Sequence, residues 1–122
     1  MWGWWRTCRT WKLAEYVNVE TGKVEAEPEP KEDCGRCYTI DFITNTKGTG
    51  RSILNVIEID LSDPPFFGTM TEVGDNEIGN VTLFYDAIRS IKSYTLERDE
   101  LKFFYDEGQR YLLYKLVRPW RK

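Results

Sequence analysis

The chain has 122 residues, of which 41% are hydrophobic and 15% aromatic, so it is long enough for one domain with a substantial core. Its 17 basic and 20 acidic residues leave a net charge of −3. This balance disfavours a dedicated nucleic-acid binder, because such proteins present a basic surface to phosphates. Histidine is absent, which excludes Ser-His-Asp and Cys-His nucleophiles and zinc sites built on imidazole. An enzyme could still use paired carboxylates, lysine or tyrosine, and a carboxylate-dependent hydrolase is the minor alternative. No carboxylate pair stands out in the sequence, so we expect a protein that is not an enzyme.

Residues 1–9, MWGWWRTCR, form an irregular, basic and tryptophan-rich N-terminal segment. Their apolar run is too short for a secretory signal peptide, and no small-residue cleavage site follows. An interfacial membrane anchor is one interpretation, because tryptophan and arginine favour the bilayer surface. We favour the other interpretation, in which these tryptophans pack on the domain or on a neighbour. No apolar run approaches the roughly 18 residues that a transmembrane segment needs.

Residues 10–19, TWKLAEYVNV, predict a first strand whose alternation places Trp11, Leu13, Glu15, Val17 and Val19 on one face and Tyr16 on the other. The segment 25–33, EAEPEPKED, is acidic and contains two prolines. Proline can neither pair in a central strand nor continue a helix, so this segment is predicted to be an exposed loop. Its acidic residues lack the spaced oxygens around a tight turn that a calcium site requires.

Cys34 and Cys37 form a C-x-x-C pair directly before the next predicted strand. A redox-active pair would be expected at a helix N-terminus after a strand. A zinc site would need further ligands, of which Cys8 supplies only one. Reduced structural cysteines are also compatible with the sequence. We favour a local disulfide, which implies an oxidising compartment, and we predict no metal site.

Residues 38–61 predict a β-hairpin. YTIDFI at 38–43 alternates apolar and polar positions, and 45–50, NTKGTG, has the composition of a turn. The run 51–61, RSILNVIEIDL, then predicts one long strand, and a further strand is expected at 68–73.

Residues 82–93 predict a single short helix. Phe84, Ala87, Ile88 and Ile91 recur at spacings of three and four, which places them on one face of a helix at about 83–91. Asn80 or Thr82 is available to cap its first turn.

Three strands are predicted after the helix, at 94–96, 101–105 and 111–117. Polar turns join them, and Gly108 is available for a positive φ in the second turn. Short hairpins make neighbouring strands antiparallel, and the nearly continuous apolar run of the last strand predicts that both its faces are covered. The fold class is therefore α+β, mostly antiparallel β.

With these elements placed, the chain resembles the META/HslJ-like domain family, and within it divergent members found as lipoproteins of Bacteroidetes-type bacteria. The segments AIRSI, SYTL and LKFFY within 87–105 are similar to the family's pattern of a helix, S-Y-x-(I/L), a turn and L-x-(L/F)-Y. Gly50 and Asn55 keep the spacing of its G-x-x-G-C-N signature, in which Ile53 and Leu54 replace the second glycine and the cysteine. Thr71 lies near the position of its T-x-M motif.

This resemblance implies a curved, barrel-like sheet with the helix packed against it, in a single domain spanning residues 10–122. It implies an exported protein, either periplasmic or anchored to the outer membrane as a lipoprotein, with the lipid on the full-length precursor. It implies no catalytic activity and no cofactor, so no catalytic residue is assigned. The partner is expected to be an unidentified protein or envelope component.

A second resemblance leads to an alternative function. Trp11 is similar to the opening tryptophan of lipocalin-like barrels, although Arg9 stands where their G-x-W has glycine. Barrels of this kind bind one small apolar ligand or are filled by side chains. If a ligand pocket exists, we expect Trp11, Tyr38, Phe103 and Tyr114 to lie near it, and ordinary core packing is the alternative role for all four.

Overall fold

The computed structural model describes residues 10–29, 37–62, 65–69 and 79–117, which form nine strands and one short helix. This confirms an α+β fold made mostly of antiparallel strands. Within these ranges, no helix is long and apolar enough to cross a bilayer. In chain order the elements are β1 (Thr10–Asn18), β2 (Val24–Ala26), β3 (Thr39–Phe42), β4 (Lys47–Arg51), β5 (Val56–Asp60), β6 (Phe66–Thr69), α1 (Val81–Ile88), β7 (Ser93–Glu97), β8 (Glu100–Tyr105) and β9 (Arg110–Val117).

The strands form one sheet in the order β6-β5-β4-β3-β1-β9-β8-β7, and β2 pairs separately with β1. The first and last long strands are neighbours, since β1 pairs with β9 from Thr10↔Val117 to Asn18↔Arg110. Phe67 of β6 and Phe103 of β8 lie near opposite ends of this order, yet their ring centroids are 4.9 Å apart. The sheet therefore curls until its two ends approach each other, which confirms the barrel-like curvature.

Large side chains fill the space that the curled sheet encloses. Phe103 packs edge-to-face on Tyr114, with ring centroids 5.6 Å apart. The helix adds Phe84, whose ring lies 5.2 Å from that of Tyr38 in a similar arrangement. Both faces of β9 are covered, as predicted, because Leu112, Leu113 and Tyr114 are all buried. The largest fully buried side chains are Tyr16, Tyr38, Tyr114, Phe84, Phe103, Ile40, Ile57, Ile59, Leu101, Leu112 and Val81.

A β-bulge in β1 changes which residues face the core. The register with β9 shifts between Leu13 and Glu15, so one additional residue is accommodated and the alternation reverses. Tyr16 therefore joins Trp11 and Leu13 in the core cluster, whereas the sequence pattern had placed Glu15 and Val17 on that face. A simple alternation rule cannot detect an added residue, because its period is two.

The acidic segment is not simply an exposed loop. Glu25 and Ala26 belong to β2, which pairs with β1 through Tyr16↔Ala26. Pro28 is buried, and the backbone N–H of Glu29 is bonded to the Asn80 side chain. Pro28 follows β2 and does not interrupt it, so the prediction of a loop was wrong for Glu25 and Ala26. Residues 30–33 lie outside the described ranges, so the prediction for them stays untested.

The glycines at 48 and 50 lie inside β4, where the sequence pattern had predicted a turn. A Cβ on Gly48 would lie 2.8 Å from the Asp41 carbonyl oxygen, and one on Gly50 would lie 2.6 Å from Cδ1 of Ile59. Glycine is needed here because neighbouring atoms occupy the volume of a side chain. The turn lies instead at 43–46, and a second turn at 52–55 divides the predicted long strand between β4 and β5.

The helix begins and ends slightly earlier than predicted, at Val81 and Ile88. Phe84 and Ala87 are buried as expected, and Ile91 is buried just beyond the helix end. The N-cap residue is Asn80, but its side chain makes no capping hydrogen bond. The turns after β7 and β8 are where they were predicted, and Gly108 has the expected positive φ of 83°.

We predict that Gly50→Ala lowers the free energy of unfolding by about 1–3 kcal/mol, because the new methyl group overlaps Ile59. Ile59→Val deletes the overlapping Cδ1 atom and by itself should cost about 0.5–1.5 kcal/mol. In the Gly50→Ala background the second substitution should cost less than it does alone. Urea unfolding of the four proteins measures this as a double-mutant cycle, and strictly additive costs would contradict the overlap.

Candidate functional site

A buried polar network attaches the helix to the turn between β4 and β5. The Tyr85 hydroxyl donates to Oγ of Ser52 at 2.7 Å and accepts from Nδ2 of Asn55 at 2.9 Å. The Asn55 backbone N–H also bonds to Oγ of Ser52 at 3.2 Å. Ser52 and Asn55 are both buried, so these mutual hydrogen bonds offset their removal from water. The network fixes the helix across one end of the curled sheet.

The start of the helix is attached to the segment that follows β2. The Asn80 side chain accepts from the Glu29 backbone N–H at 2.9 Å and donates to the Glu27 carbonyl at 2.7 Å. This contact explains why Asn80 does not cap the helix, since its amide is used between segments. Gly79 has φ +57°, and a Cβ there would lie 2.2 Å from the Glu29 carbonyl oxygen.

Tyr38 is held in a backbone conformation that bulky residues rarely adopt, with φ 58°. Its hydroxyl donates to the Glu29 carbonyl at 2.7 Å. Its backbone N–H donates to Ser52, and its carbonyl accepts from Leu13. Several independent contacts therefore stabilise a conformation that costs free energy locally.

A cavity of about 450 Å³ lies between the helix and the adjacent end of the sheet. This volume is within the range of pockets that hold small ligands. The strands β1, β2, β8 and β9 form one side of it, and α1 forms the other. Its lining residues are Tyr16, Glu25, Ala26, Leu83, Asp86, Ala87, Ser90, Tyr105, Asp106 and Arg110. We call it the helix–sheet cavity.

A small ion network lies at the edge of the helix–sheet cavity. Nε of Arg110 lies 2.7 Å from Oε1 of Glu25, and Nη1 of Arg110 contacts Asp106. Nδ2 of Asn18 donates to the second oxygen of Glu25 at 3.1 Å. The hydrogen bond from Arg110 is the main cause of a lowered pKa for Glu25, and Asn18 lowers it further. Glu25 is therefore ionised at neutral pH.

The Tyr16 side chain is fully buried, and its hydroxyl has no hydrogen-bond partner within the part of the chain that the structure describes. Nε1 of Trp11 is also buried, and none of residues 10–29, 37–62, 65–69 and 79–117 bonds to it. Burial is the main reason that the pKa of Tyr16 is raised far above its ordinary value, and the nearby Tyr114, Tyr38 and Tyr105 add to this effect. Most buried polar groups are hydrogen-bonded, so these two groups are exceptions among the described residues.

The structure places the four predicted pocket residues, Trp11, Tyr38, Phe103 and Tyr114, together in the core cluster. Three of their side chains are within 1% of complete burial, and Trp11 is 3% exposed. Tyr38 also lines a smaller cavity of about 290 Å³ with Lys12, Leu13, Ala14, Glu15, Glu27 and Pro28. A ligand contact for these four residues stays a prediction.

The remaining predicted residues are only partly within the described ranges. Gly50 lies in β4, and Asn55 belongs to the polar network that holds the helix. Cys37 is completely buried, and its carbonyl accepts from Nζ of Lys12 at 2.7 Å. Cys34 and Thr71 lie outside the described residues, so the Cys34–Cys37 disulfide and the role of Thr71 stay predictions.

Sequence analysis missed the residues that line the helix–sheet cavity. Glu25 and Arg110 are separated by 85 positions, and no local pattern connects them. Glu25 was assigned to a solvated loop, and Tyr16 to the wrong face of β1. The position of Arg110 directly after a turn at the start of a strand was a weak signal, since it only predicts an exposed charge.

Comparison with known proteins identifies a relative. A protein described as "Putative lipoprotein" from Tannerella forsythia is 45% identical over 109 residues, which cover 89% of this chain and 74% of the relative. The chain belongs to this lipoprotein family. No family model matches the chain, and no solved structure matches it. The family relationship supports the lipoprotein part of the resemblance noted above and an association with the cell envelope.

We predict that Tyr16→Phe leaves the free energy of unfolding unchanged or raises it by about 1 kcal/mol, because it removes an unpaired buried hydroxyl. Tyr38→Phe is the matched control. It removes a hydroxyl that donates to Glu29 and should lower stability by about 1 kcal/mol. Urea unfolding at neutral pH measures both. Equal destabilisation by the two substitutions would show that the Tyr16 hydroxyl has a partner in solution.

We also predict that the protein loses stability in alkali. Burial raises the pKa of Tyr16 and of Tyr114, so both contribute stability that is complete below the unfolded-state pKa of about 10. Above that pH the tyrosines ionise first in the unfolded state. Each one should then lower the free energy of unfolding by up to about 1.4 kcal/mol per pH unit. Urea unfolding across the alkaline range measures how steeply the free energy of unfolding falls with pH. Tyr16→Phe should make this fall less steep by up to about 1.4 kcal/mol per pH unit. An unchanged slope would contradict the prediction for Tyr16.

Proposed function

We propose that the chain is a META/HslJ-like domain of an exported, lipid-anchored envelope protein, and that it acts without catalysis, in envelope structure or by binding other proteins. The observation that carries this proposal is the filled interior. Tyr16, Tyr38, Phe84, Phe103 and Tyr114 occupy the space that a ligand would take in an open barrel. Such a barrel serves as a rigid scaffold, and its recognition is confined to its surface and its ends.

The chemistry of the side chains supports a role without catalysis. The sequence contains no histidine, which is the usual general base at neutral pH. Glu25 has a lowered pKa because of Arg110, whereas a carboxylic acid that donates a proton in catalysis needs a raised one. Burial is the main cause of raised pKa values for Tyr16, Tyr105 and Tyr114. These tyrosines are therefore weaker acids than usual.

The META/HslJ-like assignment is supported by the order α1-β7-β8-β9 and by two signature positions. A side chain at position 50 would overlap Ile59. Asn55 is buried and donates a hydrogen bond to Tyr85 of the helix. Both residues thus have structural roles that a shared fold would require. A family built on such positions needs no shared catalytic group.

The proposed location is supported by the description of the Tannerella forsythia relative as a putative lipoprotein. A lipoprotein domain of this kind is either periplasmic or attached to the outer membrane through the lipid of its precursor. We propose that Cys34 and Cys37 form a local disulfide in this oxidising compartment. Its partner is an unidentified envelope protein or component.

The alternative, a lipocalin-like binder of a small apolar ligand, would place the ligand near Trp11, Tyr38, Phe103 and Tyr114. These side chains pack on one another and on the helix. A ligand of ordinary size could enter only if they moved apart. The scaffold role is therefore the better supported of the two.

Intact mass spectrometry of the protein purified without added metal tests the proposal. Under native conditions we expect the mass of the bare chain. An additional organic mass would support the lipocalin-like alternative, and an additional mass equal to zinc would contradict the absence of a metal site.

Cysteine alkylation tests the compartment. Iodoacetamide applied to the denatured, unreduced protein should label Cys8 alone, and prior reduction should expose Cys34 and Cys37 as well. The Cys8→Ser variant is the control and should take no label before reduction. Labelling of all three cysteines without reductant would contradict the disulfide.

The anchor is tested by expressing the full-length precursor and separating its products between detergent and aqueous phases. We expect the mature protein in the detergent phase of an envelope fraction. Recovery in the aqueous phase of a cytoplasmic fraction would contradict export.

A further inference from the structure

The strand that ends the sheet after the helix has an open edge. β7 is the last strand in the sheet order, and among the described strands it pairs with β8 alone. The contact between Phe67 and Phe103 brings β6 towards this region, but no ladder within the described strands joins β6 to β7. An edge strand presents a row of backbone N–H and C=O groups with which another strand can pair.

The register shows which backbone groups of β7 face this open edge. The Phe104 carbonyl accepts from the Lys92 N–H at 3.0 Å, so the polar backbone groups of Phe104 face β7. Phe104 lies opposite Ser93, and the direction of these groups alternates along a strand. Every second residue of β7 from Ser93 onwards therefore bonds to β8. The N–H and C=O groups of Tyr94 and Leu96 point the other way, to the open edge.

The sequence of β7 does little to prevent pairing at this edge. Natural edge strands are often protected by proline, by lysine or by being very short. β7 has five residues, SYTLE, with neither proline nor lysine, whereas β2 has three and β6 has four. Tyr94 and Leu96 pack on the core but are only half-buried. A strand that paired here would therefore cover apolar surface as well as satisfy hydrogen bonds.

A second copy of β7 is complementary to this edge. Antiparallel pairing about Thr95 places Tyr94 of each copy opposite Leu96 of the other. These are the residues whose backbone groups face the edge, so both pairs can exchange hydrogen bonds in both directions. Thr95 then lies opposite its own copy and Ser93 lies opposite Glu97, so no like charges meet. Cross-strand threonine pairs also stabilise a sheet.

We propose that two copies of this chain form a symmetric dimer in which their β7 strands pair antiparallel about Thr95 and join the two sheets into one. Each copy contributes the same edge, so the contact closes at two copies. The ladder is short and buries less surface than a permanent dimer requires, so the dimer dissociates on dilution. This dimer depends on neither the lipid anchor nor the absence of catalysis, so it can fail while the proposed function stands, and the reverse.

Sedimentation of the protein over a range of concentrations tests whether it dimerises. We expect a monomer–dimer equilibrium with a Kd on the order of 100 μM. Hydrogen exchange followed by NMR then locates the contact. The amides of Tyr94 and Leu96 should exchange about fourfold more slowly at about 1 mM protein than at about 10 μM, whereas the Thr95 amide, which bonds to β8, should change little. A protein that stays monomeric at about 1 mM, or a dimer that leaves the two edge amides unprotected, would overturn the proposal.

A pair of charge substitutions at Thr95 tests the register. Thr95 is exposed, so Thr95→Lys and Thr95→Glu should both fold, which near-UV circular dichroism checks. Each variant alone places like charges opposite each other and should raise the dimer Kd about fivefold. An equal mixture of the two should recover at least the affinity of the unaltered protein, because opposite charges then meet. Thr46→Lys is the control, since Thr46 is an exposed threonine in the turn before β4, and it should leave the Kd unchanged.

Three results of these experiments count against the symmetric contact. Equal weakening by Thr95→Lys and Thr46→Lys would show a general effect of charge, and a mixture that does not recover would contradict the pairing about Thr95. Association that continues beyond two copies would indicate that β7 pairs with β6 of the next copy, because such a contact does not close on itself. If Lys102, which lies opposite Thr95 in the same chain, destabilises Thr95→Lys, the weakening in Thr95→Glu decides alone.

Discussion

The pairing of β1 with β9 is the constraint on which the rest of the structure depends. It joins residues from the two ends of the described chain, from Thr10↔Val117 to Asn18↔Arg110. One half of the sheet, β3 to β6, extends from β1, and the other half, β7 and β8, extends from β9. In the strand order of the sheet, β1 and β9 are the two neighbours whose hydrogen bonds join these halves. Closing such a distant contact costs chain entropy, which the buried aromatic core must offset.

The curled sheet could not remain empty, because apolar side chains in a void lose their packing contacts. Rings from β1, β8 and β9 fill most of its interior, and Phe84 of the helix packs on Tyr38. The helix is held by the Tyr85 hydroxyl, which donates a hydrogen bond to Ser52 and accepts one from Asn55. The helix–sheet cavity lies where this helix meets the strands.

Much of the fold could be predicted from local patterns, and the errors have identifiable physical causes. The helix and the last three strands were predicted because their apolar periods and polar turns agree with the final fold. Gly48 and Gly50 were misassigned because glycine in a turn and glycine under a neighbouring side chain look the same in sequence. Ala14 lies where β1 bulges, and no residue type signals a bulge of this kind.

The sequence by itself determined the α+β class, the antiparallel pairing around Gly108 and the absence of histidine chemistry, because these depend on composition or on residues close together in the chain. Only the tertiary structure decided where Tyr16 points and which charges meet at the cavity. Glu25 and Arg110 lie 85 positions apart and are brought together by the pairing of β1 with both β2 and β9. Such contacts arise from register and curvature, and both are properties of the whole sheet.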